Sequence, residues 1–178
     1  MATPILRPSI SCILLLCSIQ AASADLIVRF DPASTTVQVG NNVAIKIVAD
    51  ISVPVVGWGL DLSYNHSLLA QQGGPAIGLL WMATFAPDGD GLAALAFPDS
   101  ISGNSVLLAT ITFQAQAPGE SDLILSTTPG DNTEGFPLDP TGFAQATFIP
   151  GHITVIPEPV GISLLLVSGL ILLGKRRY

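Results

Sequence analysis

The residues best suited to chemistry are carboxylates that lie close together in turns. Asp88-Gly89-Asp90-Gly91 places two carboxylates two residues apart in a glycine-containing turn, and oxygens that converge in this way suit Ca²⁺. Asp131, Glu134 and Asp139 form a second acidic stretch of this kind. Aspartate and glycine also occur together simply because they favour turns. We therefore expect no cofactor other than calcium, with Asp88 and Asp90 as its ligands if it binds.

The sequence contains few residues that could act in catalysis. The sequence contains two histidines, His66 and His152, and a Ser-His-Asp site would need one of them. The G-x-S-x-G motif of serine hydrolases is absent. The sequence thus predicts a protein that is not an enzyme. A secreted hydrolase is the alternative, and a histidine beside a buried carboxylate and a serine would favour it.

The two tryptophans, Trp58 and Trp81, are the side chains that could stack on sugar rings. Trp58 shares one face of a predicted strand with Leu60 and Leu62, which indicates a core position. Trp81, in Leu79-Leu80-Trp81-Met82, is open to both interpretations, core residue or sugar-stacking residue.

Charge is distributed unevenly along the chain. The segment from Asp25 to Asp139 contains twelve acidic residues and only two basic ones, Arg29 and Lys46, so its formal charge is −10. The other basic residues lie near the two ends of the chain. Such a surface repels phosphate backbones, so the sequence excludes nucleic-acid binding. Divalent cations or basic partners fit better.

The first 24 residues have the three parts of a secretory signal peptide. Arg7 supplies a positive charge, Ile10 to Ile19 is an apolar run, and Ala22-Ser23-Ala24 is an A-x-A cleavage site. The alternative, an uncleaved anchor, needs more than ten apolar residues to span a bilayer. Cleavage after Ala24 would start the mature protein at Asp25. It would also remove Cys12 and Cys17, the only two cysteines, so the exported domain would contain no thiol.

The C-terminal end combines three features in order. Pro157-Glu158-Pro159 is followed by fifteen uncharged residues, 160–174, and then by Lys175, Arg176 and Arg177. A helix over 160–174 would be about 22 Å long, short of the roughly 30 Å hydrocarbon core. A buried helix of the domain is the alternative, but the segment has no polar face. We expect a marginal transmembrane helix, with the basic tail in the cytoplasm and the acidic domain on the far side.

This order resembles the PEP-CTERM sorting signal of exopolysaccharide-producing Gram-negative bacteria, over residues 157–178. The resemblance implies that an exosortase, a membrane-embedded peptidase, recognises Pro157, Glu158 and Pro159 and cleaves near them. It also implies transit through the inner membrane, with the domain in the periplasm, and then a place at the cell surface or in the biofilm matrix.

Residues 25–156 show the period-two pattern of half-buried strands. Val43, Ile45, Ile47, Ala49 and Ile51 alternate with Ala44, Lys46, Val48 and Asp50. Trp58, Leu60, Leu62 and Tyr64 alternate with Gly59, Asp61 and Ser63, and Leu107, Ala109, Ile111 and Phe113 alternate with Leu108, Thr110 and Thr112. Shorter strands are predicted at 26–30, 35–39, 76–85, 92–97, 123–126, 144–148 and 152–156, with room for one helical turn within 66–80. Turn clusters between them favour an all-β antiparallel sandwich of the jelly-roll type.

The same segments resemble a cohesin-like domain, a β-sandwich related to some carbohydrate-binding modules. The matching elements are Val37 to Val43 before a long strand, Val56 to Asn65 followed by Ser67-Leu68-Leu69, and Leu107 to Gln116 leading into Pro118-Gly119. The resemblance implies this fold over about 130 residues.

Together these patterns predict an exported, non-catalytic surface or matrix protein with three parts: signal peptide 1–24, domain 25–156 and sorting signal 157–178. Its expected partners are an exosortase, the membrane, and either exopolysaccharide or another surface protein. The alternative is a carbohydrate-binding module for extracellular polysaccharide.

Overall fold

The computed structural model describes residues 26–84, 92–96 and 98–158, and these residues form strands, turns and loops without any helix. No span long and apolar enough to cross a membrane as a helix is found within them. The predicted signal peptide, residues 85–91 and the predicted span at 160–174 lie outside these ranges.

The strands, in chain order, are β1 (Leu26–Asp31), β2 (Ser34–Gln38), β3 (Asn42–Val55), β4 (Gly57–Gly59), β5 (Asp61–Ser63), β6 (Leu69–Gln71), β7 (Ala76–Ile77), β8 (Ala83–Thr84), β9 (Ala93–Leu95), β10 (Ile101–Ala115), β11 (Gly119–Ser126), β12 (Phe136–Pro137), β13 (Phe143–Ala144), β14 (Ala146–Ile149) and β15 (Gly151–Ile156).

Two sheets form the sandwich. The first sheet has the order β14-β1-β3-β10-β6, with β7 also paired to β10, and the second has the order β2-β15-β11-β5. Two smaller sheets, β4-β9-β8 and β12-β13, complete the fold. The prediction of an all-β sandwich is confirmed for the described residues.

The prediction of a purely antiparallel sandwich is wrong at two edges. β1 pairs with β14 in parallel, and β2 pairs with β15 in parallel. The first segment of the chain contributes β1 to one sheet and β2 to the other. The last segment likewise contributes β14 to the first sheet and β15 to the second. Because both segments pass from the first sheet to the second, β1 and β14 run in the same direction, and so do β2 and β15.

One hydrophobic core lies between the two sheets. From the first sheet it includes Ile45, Ile47 and Phe113, and from the second Leu123 and Ile153, all at most 1% exposed. Period-two alternation places these side chains on the inner faces, while alternate residues such as Lys46 and Asp122 face water. The alternation predicted for Ile45, Ile47, Ala49 and Ile51 is confirmed, since all four are buried.

The alternation predicted for Leu107 to Phe113 is wrong at its start. The register of β10 against β3 shifts between Leu107 and Ala109, and this bulge reverses the faces on its N-terminal side. Leu108, which was expected to face outward, is fully buried, whereas Leu107 is half-buried on the outer face.

Other strands are shorter than predicted. The segment 58–64 is divided between β4, which pairs with β9, and β5, which pairs with β11. The stretch 66–80 contains a turn at 66–68, where the backbone N–H of Leu69 donates to the carbonyl of Asn65 (3.0 Å) as in one helical turn, and then the strands β6 and β7. Strand pairing along β10 determines this stretch, because both short strands add to the edge of that long strand.

A three-residue polar network joins β1, β3 and β10 on the outer face of the first sheet. Arg29 donates through Nη1 to Oδ2 of Asp50 (2.5 Å) and through Nη2 to Oγ of Ser105 (2.8 Å). The backbone N–H of Ser105 donates to Oδ1 of Asp50 (2.7 Å). Ser105 has a φ of 53°, a left-handed conformation uncommon for a residue with a side chain. The network holds this residue at the N-terminal end of the bulged strand.

The network makes a pH-dependent contribution to stability. The Ser105 N–H and then the Arg29 guanidinium lower the pKa of the Asp50 carboxyl. A group with a lowered pKa stabilises the fold above its unfolded pKa of about 4, and this contribution is lost as the pH falls through its folded pKa. We expect Asp50→Asn to lower the free energy of unfolding by about 1 kcal/mol at pH 7, since the carboxylate is partly exposed.

Urea unfolding of both proteins at pH 7, 5, 4 and 3 tests this expectation. The difference between wild type and Asp50→Asn should shrink as the pH falls below about 4, because the wild-type carboxyl is then protonated as well. Asp99→Asn, which alters an exposed carboxylate, is the control and should show a difference close to zero. A difference that stays constant down to pH 3 would contradict the role of the Asp50 charge.

Candidate interaction face

The outer surface of the second sheet is mostly polar and carries two exposed isoleucines, Ile124 on β11 and Ile156 at the end of β15. Ser121, Leu123 and Leu125 of β11 are buried, so Asp122, Ile124 and the other alternate residues face outward. Ile124 is 50% exposed, and its partner on β5 is Ser63. We call the outward-facing residues Asp61, Ser63, Asp122, Ile124, Ser126 and His152 the interaction face; Asp61 and His152 are half-buried and the others are exposed.

Hydrogen bonds orient the charged groups of the interaction face. His152 and Asp122 are direct neighbours on β15 and β11, and the Nδ1 of His152 lies 2.9 Å from Oδ1 of Asp122. Thr128 donates through its hydroxyl to Oδ2 of Asp61 (3.0 Å) at the other end of the face. The carboxylates are therefore fixed beside Ile124, which suits recognition of a partner surface with an apolar contact and polar surroundings.

The histidines do not build a hydrolase site among the described residues. The Asp122 carboxylate beside His152 is 72% exposed, not buried. The buried Ser121 uses its hydroxyl to accept from the Asn65 N–H (3.0 Å) and to donate to the Asp122 carbonyl (3.3 Å). His66 packs its ring against Tyr64, with centroids 4.1 Å apart. The arrangement that would favour the hydrolase alternative is not present in this part of the chain.

The acidic residues of the predicted metal sites fall into two groups. Asp88 and Asp90 lie outside the described residues, so their proposed calcium site stays a prediction. Asp131 accepts through Oδ1 from the backbone N–H (2.8 Å) and the hydroxyl (2.5 Å) of Thr133, and these bonds lower the pKa of its carboxyl. Glu134 is 7% exposed and accepts from the Thr128 N–H.

The three acids of this second stretch therefore have separate roles. Asp131 closes a turn, Glu134 supports the loop from inside, and Asp139 is exposed. Within the described ranges, no group of three histidine, cysteine, aspartate or glutamate side chains is placed to hold a metal ion. The turn interpretation accounts for their positions.

Both tryptophans lie in the core. Trp58 is 2% exposed and Trp81 7% exposed, and their rings meet edge to face with centroids 6.1 Å apart. Trp81 donates through Nε1 to the carbonyl of Leu107 (2.9 Å), while Nε1 of Trp58 is buried and has no hydrogen-bond partner among the described residues. Neither ring presents an open face, so the assignment of Trp81 as a sugar-stacking residue has no exposed surface to support it.

The sorting motif begins where the described chain ends. Pro157 and Glu158 follow β15 directly and are exposed. Pro159, the basic residues Lys175, Arg176 and Arg177, and the signal-peptide residues Ala22 and Ala24 lie outside the described ranges. The sorting signal and the signal peptide stay predictions.

The sequence analysis missed two features of the site region. The run Leu123-Ile124-Leu125 is apolar throughout, so nothing in it indicates that Ile124 alone faces water. The burial of Glu134 was likewise unexpected for a carboxylate in a turn-rich loop. A period-two count continued from Ser121 would have found Ile124, since it places Leu123 and Leu125 on the opposite face.

Comparison with known proteins identifies the fold. No protein-family model and no curated protein sequence matches the chain. A non-cellulosomal cohesin from the archaeon Archaeoglobus fulgidus superposes with a TM-score of 0.55 and 16% identity, over 74% of this chain and 90% of that chain. A type II cohesin domain from the cellulosome of Acetivibrio cellulolyticus gives a TM-score of 0.51 and 13% identity, over 74% and 95%. The described domain has a cohesin-like fold.

Proposed function

We propose that the chain is an exported, non-catalytic binding module that recognises a partner protein through its interaction face. The observation that carries this proposal is the half-exposed Ile124 among oriented polar groups on a sheet of a cohesin-like sandwich. One solved structure with this fold is a cohesin domain from the cellulosome of Acetivibrio cellulolyticus, which supports a protein ligand for a sandwich of this kind. The partner itself is defined by chemistry: an apolar side chain that covers Ile124, with basic or hydroxyl groups around it.

Substitution of Ile124 tests this function. Ile124→Asp should weaken capture of the partner from the extracellular fraction of the producing cells by roughly 30-fold, because a charge at the centre of an interface removes an apolar contact and must be desolvated. Ile149→Asp is the matched control, since Ile149 is a strand isoleucine of similar exposure, 42%, on the other sheet. Equal capture by both variants would contradict the assignment of the face.

We propose further that residues 157–178 are a sorting signal through which an exosortase anchors and then cleaves the protein. The order of a Pro-Glu-Pro element, whose first two residues are exposed, an uncharged span and a basic tail supports this part of the proposal. The acidic domain would then reach the cell surface or the extracellular matrix, where a module without enzymatic activity can serve as an attachment point.

Two variants of the tail should give opposite results. Leu166→Arg places a charge at the centre of the span, which costs roughly 2.5 to 3.5 kcal/mol on an insertion scale, so the protein should be released uncleaved. Pro157→Ala combined with Glu158→Ala should leave it membrane-bound and unprocessed. Fractionation and gel migration of the two variants are the measurement. Wild-type behaviour of both would mean that the tail is not a sorting signal.

A further inference from the structure

A groove on the outer face of the first sheet contains both cations of the described residues, Arg29 and Lys46. It has a volume of about 550 Å³. Its floor and rim include Asp31, Val48, Ser105 and Leu107. We propose that this groove binds a uronic acid unit of an acidic polysaccharide, with the sugar carboxylate between the two cations. The groove lies on the sheet opposite the interaction face, so the inference goes beyond the proposed function and is independent of it.

The strand register brings the two cations together. Arg29 on β1 is opposite Val48 on β3, and Lys46 lies two residues along β3 on the same face. Diagonal neighbours of this kind are roughly 7 to 8 Å apart, and long side chains can converge on one carboxylate from that separation. Lys46 makes no ion pair or hydrogen bond within the described ranges, even though Asp31 is its direct cross-strand neighbour. Its three N–H donors are therefore free for a ligand.

Arg29 is fixed in position while most of its donors remain open. Its guanidinium uses one N–H on Asp50 and one on Ser105, and a guanidinium has five. Ser105 is held in a left-handed conformation at the rim of the groove, and strained residues of this type cluster at ligand sites. The network thus positions Arg29 before a ligand arrives, which lowers the entropic cost of binding.

The remaining lining favours a sugar over a peptide. The half-buried Leu107 provides apolar surface for the carbon face of a pyranose ring, and its cross-strand partner Val48, 6% exposed, lines the groove next to it. The Thr110 hydroxyl lies on the same face, because Thr110 is the partner of Lys46 across β10. The backbone groups of β3 are already paired with β1 and β10 on both sides, so a peptide strand cannot add to the sheet here.

The charge of the whole domain sets the conditions for binding. The described residues include ten acids against the two cations, and their long-range field opposes an anionic chain. At about 0.15 M salt this field is screened over roughly 8 Å, whereas the cations that line the groove would touch the carboxylate. Binding should therefore be measured at physiological ionic strength.

Titration calorimetry with trigalacturonate tests the proposal on the full chain in a nonionic detergent. We expect millimolar or tighter binding, at least tenfold weaker binding by Lys46→Gln, and retained binding by Lys46→Arg. Thr36→Glu changes the net charge by the same amount on the outer face of the second sheet, so it serves as the control and should bind within about twofold of wild type. The methyl-esterified trisaccharide, which lacks the carboxylates, should not bind.

Three results would overturn the proposal. The first is no binding of trigalacturonate by the wild type at 10 mM. The second is equally weakened binding of trigalacturonate in Lys46→Gln and Thr36→Glu. That result would show that binding depends on the net charge of the domain and not on a site in the groove. The third is equal or tighter binding of hexaglutamate, which would make the groove a site for acidic peptides.

Discussion

Phe113→Ala should lower the free energy of unfolding by about 4 kcal/mol, as expected for truncation of a fully buried phenylalanine. Phe113 is fully buried near the C-terminal end of β10, between Val43 on β3 and Gln71 on β6. Its ring also meets Tyr64 edge to face, with centroids 4.9 Å apart. Truncation removes the buried ring and that contact together, and it leaves a cavity between the sheets. Since a domain of this size has only 5 to 15 kcal/mol of stability, much of it would be lost.

Tryptophan fluorescence during urea unfolding measures this loss directly, because the chain has only Trp58 and Trp81 and both are buried in the described domain. Thr112→Ala is the control on the adjacent residue of the same strand. Thr112 faces outward and is half-buried, so its replacement should change the stability by no more than about 0.5 kcal/mol. If both variants unfold at the same urea concentration, the core does not depend on Phe113 as its burial implies.

The sequence predicts strands best where one face is buried and the other meets water. Along β3, Ile45, Ile47 and Ala49 point inward at every second residue, because a shift of one residue would expose all of them. The same physics gave the position of Trp58 in the core. In these stretches the side-chain pattern alone determines which face is buried.

The pattern is uninformative where pairing between distant strands decides the structure. The bulge between Leu107 and Ala109 adds one residue to an apolar stretch, and Leu107 and Leu108 are chemically interchangeable there. The parallel pairing of β1 with β14 joins segments about 120 residues apart. The groove containing Arg29 and Lys46 depends on the register of β1 against β3, so the sequence shows two isolated cations and the structure shows a pair.

Gly59→Ala should cost roughly 3 kcal/mol, although it adds only one methyl group. Gly59 exchanges backbone hydrogen bonds with Gly135, 2.9 and 2.8 Å long, and this bridge brings the loop before β12 onto β4. A Cβ atom on Gly59 would overlap the carbonyl oxygen of Thr133 and lie 3.0 Å from the Cα of Glu134. Both are backbone atoms, so no side-chain rotation relieves the overlap and the loop itself has to move.

The displaced loop contains the buried Glu134, which supports it from inside by accepting from the Thr128 N–H. Amide exchange should therefore become faster at Gly135 and Thr128 in Gly59→Ala. The amides of β3 and β10 should lose only as much protection as the lower global stability requires. Gly74→Ala is the matched control, because a Cβ there meets nothing within 4 Å, and it should leave both stability and exchange near the wild-type values. Equal stability of the two variants would show that the loop yields to the added methyl group without loss. In that case, the close approach at Gly59 would not be what holds the loop and Glu134 in place.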